Sequence, residues 1–114
     1  MKTFLKFAKV VIIAKTTLEA YAKKHPIVAE PLNNWYGIVR KASWKGFAEM
    51  KKSFNSVDAV GNDRYCFNIK GNEFRLITMI LFRARTIFIL WFGSHAEYDR
   101  MNKSIGAANV SFNK

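Results

Sequence analysis

Gly61-Asn62-Asp63-Arg64-Tyr65-Cys66-Phe67-Asn68-Ile69-Lys70-Gly71-Asn72-Glu73-Phe74-Arg75-Leu76 is the stretch that decides the fold. Tyr65, Phe67 and Ile69 alternate with Arg64, Cys66, Asn68 and Lys70, the two-residue period of a half-buried strand. Gly71-Asn72 suits a two-residue hairpin loop, because both residue types tolerate positive φ. Such a loop pairs Lys70 with Glu73, Ile69 with Phe74, Asn68 with Arg75 and Phe67 with Leu76. Phe67, Ile69, Phe74 and Leu76 then face a core, while Asn68, Lys70 and Arg75 share the opposite face. Arg75 across from Asn68 is either a favourable cross-strand pair or a guanidinium fixed for a phosphate.

Downstream, 76–81 and 86–92 read as further strands joined by Phe82-Arg83-Ala84-Arg85. The two tip arginines suit solubility and phosphate steering better than chemistry. Gly93-Ser94 permits a turn, and His95 to Met101 reads as a short helix opened by Ser94. Three residues apart, His95 and Tyr98 lie on one side of it. A lone histidine is more often structural than functional, but His, Tyr and Arg converging on one basic face favour a functional role, because imidazole exchanges protons near neutral pH.

Upstream, Val10-Val11-Ile12-Ile13 is a β-branched run that suits a strand buried on both faces or central in a sheet, with the first seven residues as its extension. Thr16 and Glu19 have capping-box spacing, predicting a helix from about Thr17 that stops at His25-Pro26. A second helix is expected from Val28 to Pro31 onward, with Leu32, Trp35, Ile38, Val39 and Ala42 as its apolar stripe. Phe47, Met50 and Phe54 suit a short third helix with Lys45, Lys51 and Lys52 exposed, and 53–63 reads as a loop. The expected architecture is α+β: an N-terminal strand and two helices on a twisted, mainly antiparallel sheet, then a short C-terminal helix. One domain spans 1–114, with its core at about 8–101 and a tail from 102.

Composition narrows the partners. Nineteen Lys and Arg against eight Asp and Glu give a formal net charge of +11, which favours polyanions and nucleic acid first. A single cysteine, Cys66, excludes an internal disulfide and a Cys-based zinc site, and its apolar surroundings suit a buried small side chain. No run reaches the roughly 18 apolar residues of a membrane span. Lys6 and Lys9 interrupt the one N-terminal run that resembles a signal peptide, so a cytoplasmic location is expected.

Taken together, Gly61-Asn62-x-Arg64, Phe67-Asn68-Ile69-x-Gly71-Asn72-x-x-Arg75-Leu76 and His95-Ala96-Glu97-Tyr98-Asp99 resemble the HigB-family toxins of type II toxin–antitoxin systems, within the broader RelE/ParE-like group. His25-Pro26, Pro31-Leu32-x-x-Trp35-Tyr36 and Trp44-Lys45 add weaker support, and the likeness runs from about Val10 to Met101. The resemblance implies a RelE-like fold and a metal-independent mRNA interferase that cuts translated messages on the ribosome, at the 30S A site. The RNA's own 2′-hydroxyl would attack the adjacent phosphate, with no cofactor. Partners implied are mRNA, the ribosome and a HigA-type helix-turn-helix antitoxin, with operator DNA reached only through that antitoxin. Arg75, His95 and Tyr98 become the catalytic candidates: Arg75 on the phosphate, His95 and Tyr98 transferring protons or holding the nucleotide. Arg64, Asn68, Lys70, Asn72, Arg83 and Arg85 become the RNA-binding set. One position departs from the family, which often has a basic residue where this chain has Leu90. By alternation Leu90 shares a face with neither Ile89 nor Trp91, and Lys70 or the Arg83/Arg85 pair are the available substitutes. A catalytically weak toxin-like co-regulator that binds the antitoxin, or a basic RNA-binding module, are the alternatives.

Overall fold

The computed structural model describes residues 10–14 and 16–111; the expected extension over the first seven residues lies outside them. Strands β1 (Val11–Ile13), β2 (Asp58–Gly61), β3 (Arg64–Ile69), β4 (Phe74–Leu81) and β5 (Thr86–Ser94) form one sheet in the order β1-β5-β4-β3-β2. Among the described residues the β1–β5 pair is parallel and the pairs β5–β4, β4–β3 and β3–β2 are antiparallel. The expected hairpin register is present, with Phe67 opposite Leu76, Asn68 opposite Arg75 and Ile69 opposite Phe74.

Helices α1 (Thr16–Lys24), α2 (Ala29–Arg40) and α3 (Phe47–Ser53) belong to the core on one face of the sheet. Leu32, Trp35 and Val39 recur at helical spacing and are buried, where they meet Phe67, Ile69, Leu76, Ile87 and Ile89. The Trp35 and Phe67 rings touch edge to face, with centroids 5.5 Å apart. Helix α4 (His95–Ser104) covers part of the other face over a smaller core of Cys66, Ile77, Leu90, Met101, Ala107 and Val110. The α+β arrangement read from the sequence is therefore the one the chain adopts.

Four local expectations change. The first strand is at the sheet edge, not its centre, and Val11 is 52% exposed because α4 does not reach over it. Ile38 drops out of the α2 stripe and is exposed, since it flanks the Trp35–Val39 line instead of lying on it. Helix α1 starts at Thr16, so Thr16 is inside the helix and not its cap. The expected loop at 53–63 contains β2, an edge strand with burial too slight to produce a strong alternation.

Candidate active site

Arg75 sits in the middle of a row across the second face, between its cross-strand partners Asn68 on β3 and Gly93 on β5. The hairpin loop holds its guanidinium. Nη1 donates to the carbonyl oxygens of Asn72 (2.9 Å) and Phe74 (3.3 Å), and Nη2 donates to Asn72 Oδ1 (2.8 Å). Among the described residues this leaves Nε–H and one Nη2–H for an incoming anion. The loop itself differs from the expected one: positive φ falls on Lys70 (55°) and Gly71 (64°), not on Gly71 and Asn72. With Lys70 in the left-handed region, the Glu73 N–H donates to the Lys70 carbonyl (3.2 Å), and Asn72 is placed to turn its side chain onto Arg75. Lys70 Nζ is 2.9 Å from Glu73 Oε2, an exposed pair of the kind that contributes little and exchanges readily for another anion.

The β5–α4 junction delivers the rest. Ser94 caps α4 in a closed box: Ser94 Oγ accepts from the Glu97 N–H (3.1 Å), and Glu97 Oε1 accepts from the Ser94 N–H (2.7 Å). His95, the first helical residue, donates its backbone N–H to the Glu73 carbonyl (2.9 Å), which ties the helix start to the hairpin loop. Its Nε2 is 3.6 Å from Asp99 Oδ2, one turn along, and both side chains are half-exposed. Tyr98 lies on the sheet with its ring centroid 5.9 Å from Arg75 Cζ, within cation–π range.

The Tyr98 side chain packs on the smaller core that holds Cys66, and each group shifts the other: Tyr98 lowers the thiol and Cys66 raises the phenol. Burial dominates both, pushing the Cys66 thiol up to about 11 and the Tyr98 phenol up to about 12, with Arg75 pulling each back. At neutral pH Tyr98 therefore keeps its proton. That arrangement suits holding a nucleotide, or the guanidinium itself, better than proton transfer.

The remaining candidates separate. Asn68 is Arg75's neighbour in the ladder. Arg64 points elsewhere: Nε and Nη2 donate to the Val110 carbonyl (3.0 and 2.7 Å) and Nη1 to that of Asn62 (2.9 Å). It fastens the C-terminal segment instead of joining Arg75. Arg83 and Arg85 occupy the β4–β5 turn, beyond Leu81 and so about 20 Å along the strand from Arg75. Arg85 Nη2 donates to the Ala42 carbonyl (2.8 Å). Neither tip arginine can substitute for a charge near Arg75.

Leu90 also has a different setting from the expected one. Ile77 pairs with Trp91 and Thr78 with Ile89, so Leu90 is the extra residue of a β-bulge. The bulge resets the alternation and puts Leu90 and Trp91 on the same face. Leu90 is buried in the smaller core, while Trp91 leans against Tyr98 with ring centroids 6.1 Å apart. A β-carbon on Gly93 would fall 2.7 Å from Trp91 Cη2 and 2.8 Å from Glu97 Oε1, so the indole lies across the glycine. Cys66, Trp91 and Gly93 were not among the sequence candidates; the signal for Gly93 is a glycine closing an unbroken apolar strand. Among the described residues no cluster of three His, Cys, Asp or Glu side chains is placed to hold a metal, and no helix is long and apolar enough to cross a membrane.

Residues 28–101 match the HigB_toxin family model, described as the RelE-like toxic component of a toxin–antitoxin system. The chain is similar to the mRNA interferase HigB of Escherichia coli O6:H1 (strain CFT073), at 30% identity over 94 residues, covering 81% of this chain and 91% of the relative. It is likewise similar to the mRNA interferase toxin HigB of Escherichia coli K12 and the mRNA interferase HigB of Shigella flexneri, each at 29% identity over 90 residues, with 77% and 86% covered. The matched region holds the hairpin, its arginine and the first turns of the helix that carries His95 and Tyr98, and the chain belongs to the HigB toxin family.

Proposed function

We propose that this chain is an endoribonuclease that cuts mRNA during translation, in the ribosomal A site and without a metal, and that a helix-turn-helix antitoxin neutralises it. The observation that carries the reading is the Arg75 clamp: a guanidinium fixed twice by Asn72, with two N–H groups left for an anion, on a chain of net charge +11. The relatives' mRNA interferase names supply the substrate class. In the reaction the 2′-oxygen bonds to the adjacent phosphorus and the P–O5′ bond breaks, leaving a 2′,3′-cyclic phosphate and a 5′-hydroxyl. Arg75 takes the charge that builds on the phosphorane, and His95 accepts the 2′-hydroxyl proton with Asp99 steadying the imidazolium. Solvent returns a proton to the 5′-oxygen. Tyr98 holds Arg75 and the nucleotide instead of moving a proton.

Mapping transcript ends after induction tests this. The wild-type chain is expected to arrest growth and generate new ends within translated frames only, whereas Arg75→Ala and His95→Ala reduce end formation by about 100-fold or more. Intact transcripts and unchanged growth alongside antitoxin binding would replace the enzyme reading with the co-regulator one.

A further inference from the structure

We infer that Trp91 is a positioning residue for the candidate active site, wedging Tyr98 against Arg75; the inference rests on the endoribonuclease reading for its effect on cleavage. Three observations lead to it. The bulge at Leu90 turns Trp91 onto the face that carries Arg75, where strict alternation from Ile89 would alternate it away from Leu90. Gly93 has no side chain, and its buried backbone is covered by the six-membered ring of the indole. The indole then meets Tyr98 at 6.1 Å, with an interplanar angle of 61°.

Tyr98 is thereby fixed from three directions. The smaller core around Cys66 packs against it, Trp91 meets its ring, and Arg75 lies over its ring. Removing the wedge leaves a phenol ring free to swing off the smaller core and a guanidinium without its platform. Lack of space does not set the indole's place: a cavity of about 510 Å³ borders Trp91, with Met101 and Ile105 on its other walls. Contacts with Gly93 and Tyr98 hold it. A filler of the smaller core would need only apolar volume at position 91, whereas a wedge needs a flat, rigid ring.

The test uses the full chain with Trp91→Phe, Trp91→Leu, Tyr98→Leu and the double variant Trp91→Leu/Tyr98→Leu, scored two ways. In a purified translation reaction, Trp91→Leu is expected to lower cleavage about tenfold, mainly in kcat. Trp91→Phe should recover most of the loss, and the double variant should be no slower than Tyr98→Leu alone. Independently of activity, iodoacetamide should alkylate Cys66 several-fold faster in Trp91→Leu than in wild type, because Tyr98 no longer packs over the small core that buries the thiol. Equal losses for Phe and Leu, or losses that multiply in the double variant, would overturn the inference and leave packing as the role. If neither wild type nor Arg75→Ala cuts any message, the endoribonuclease reading fails. The alkylation arm then decides the wedge alone: labelling that rises alike in Trp91→Leu and Tyr98→Leu, with no further rise in the double variant, supports it, and labelling that is unchanged in Trp91→Leu or multiplies in the double variant overturns it.

Discussion

Asn72 and Arg75 are joined twice, once through the Asn72 carbonyl at 2.9 Å and once through its side-chain oxygen at 2.8 Å. The side-chain bond fixes the second nitrogen, so its loss should free the guanidinium to pivot about the backbone bond. A hydrogen bond to a charged group contributes about 1.5–3 kcal/mol, and this one spans an exposed loop. Asn72→Ala is expected to reduce transcript cleavage about tenfold while moving the melting temperature little. Counting new transcript ends per unit time, beside a thermal melt, checks both halves.

Gly93→Ala should behave unlike an ordinary glycine replacement. Its new methyl meets the rigid indole of Trp91 at 2.7 Å and the carboxylate that closes the Ser94 cap at 2.8 Å. Overpacking of this kind costs about 1–3 kcal/mol. Gly37, inside α2 with nothing within 4 Å of its would-be β-carbon, is the internal control. Gly37→Ala should stabilise the protein by about 0.5–1 kcal/mol. Denaturant melts of the two variants are expected to move in opposite directions, and only Gly93→Ala should slow cleavage.

The legible parts of this protein were those fixed by local chemistry. The Phe67/Leu76 and Asn68/Arg75 pairs follow from alternation about one turn, and the α4 start follows from Ser94. The illegible parts depend on a count along the strand or on what covers a face. Arg64, Arg83 and Arg85 have the right charge but are at the wrong distance from Arg75, and periodicity carries no information on which end of a strand meets a helix. The bulge at Leu90 is invisible in the run Thr86 to Phe92, where every residue after Thr86 is apolar and either phase is acceptable. The family resemblance makes position 90 a vacated charge site, yet Leu90 packs among Cys66, Ile77 and Met101.

The Cys66–Tyr98 pair should make stability fall at alkaline pH. The folded thiol is raised from 9.0 to about 11, chiefly by burial, and the phenol from 10.0 to about 12. Above about pH 9 the unfolded chain sheds these protons while the folded one retains them, so rising pH favours unfolding. Stability attributable to the pair is fully present below pH 9 and is lost between about pH 9 and 12. Melting temperatures measured from pH 8 to 11 should decline, and Cys66→Val should flatten the lower part of that decline. An identical slope in the variant would place the effect in other groups.

Arg64→Ala separates a structural arginine from a substrate-binding one. Its guanidinium gives the Val110 carbonyl two hydrogen bonds and the Asn62 carbonyl a third, while Asn62 Nδ2 donates to the Ala108 carbonyl at 2.9 Å. These bonds seat Ala107 and Val110 against Cys66 and Ile77, beneath the helix that carries Tyr98. Removing the side chain leaves the Val110 carbonyl without its donor and loosens the lid of the smaller core, an expected loss of about 2–3 kcal/mol. Cleavage per folded molecule should change less than threefold, because Arg64 pairs with Met79, about 13 Å along β4 from Arg75. Binding to a single-stranded RNA across a salt series gives the second reading. A residue that contacts phosphate reduces the salt slope when it is removed, and Arg64→Ala should leave the slope where Arg75→Ala lowers it.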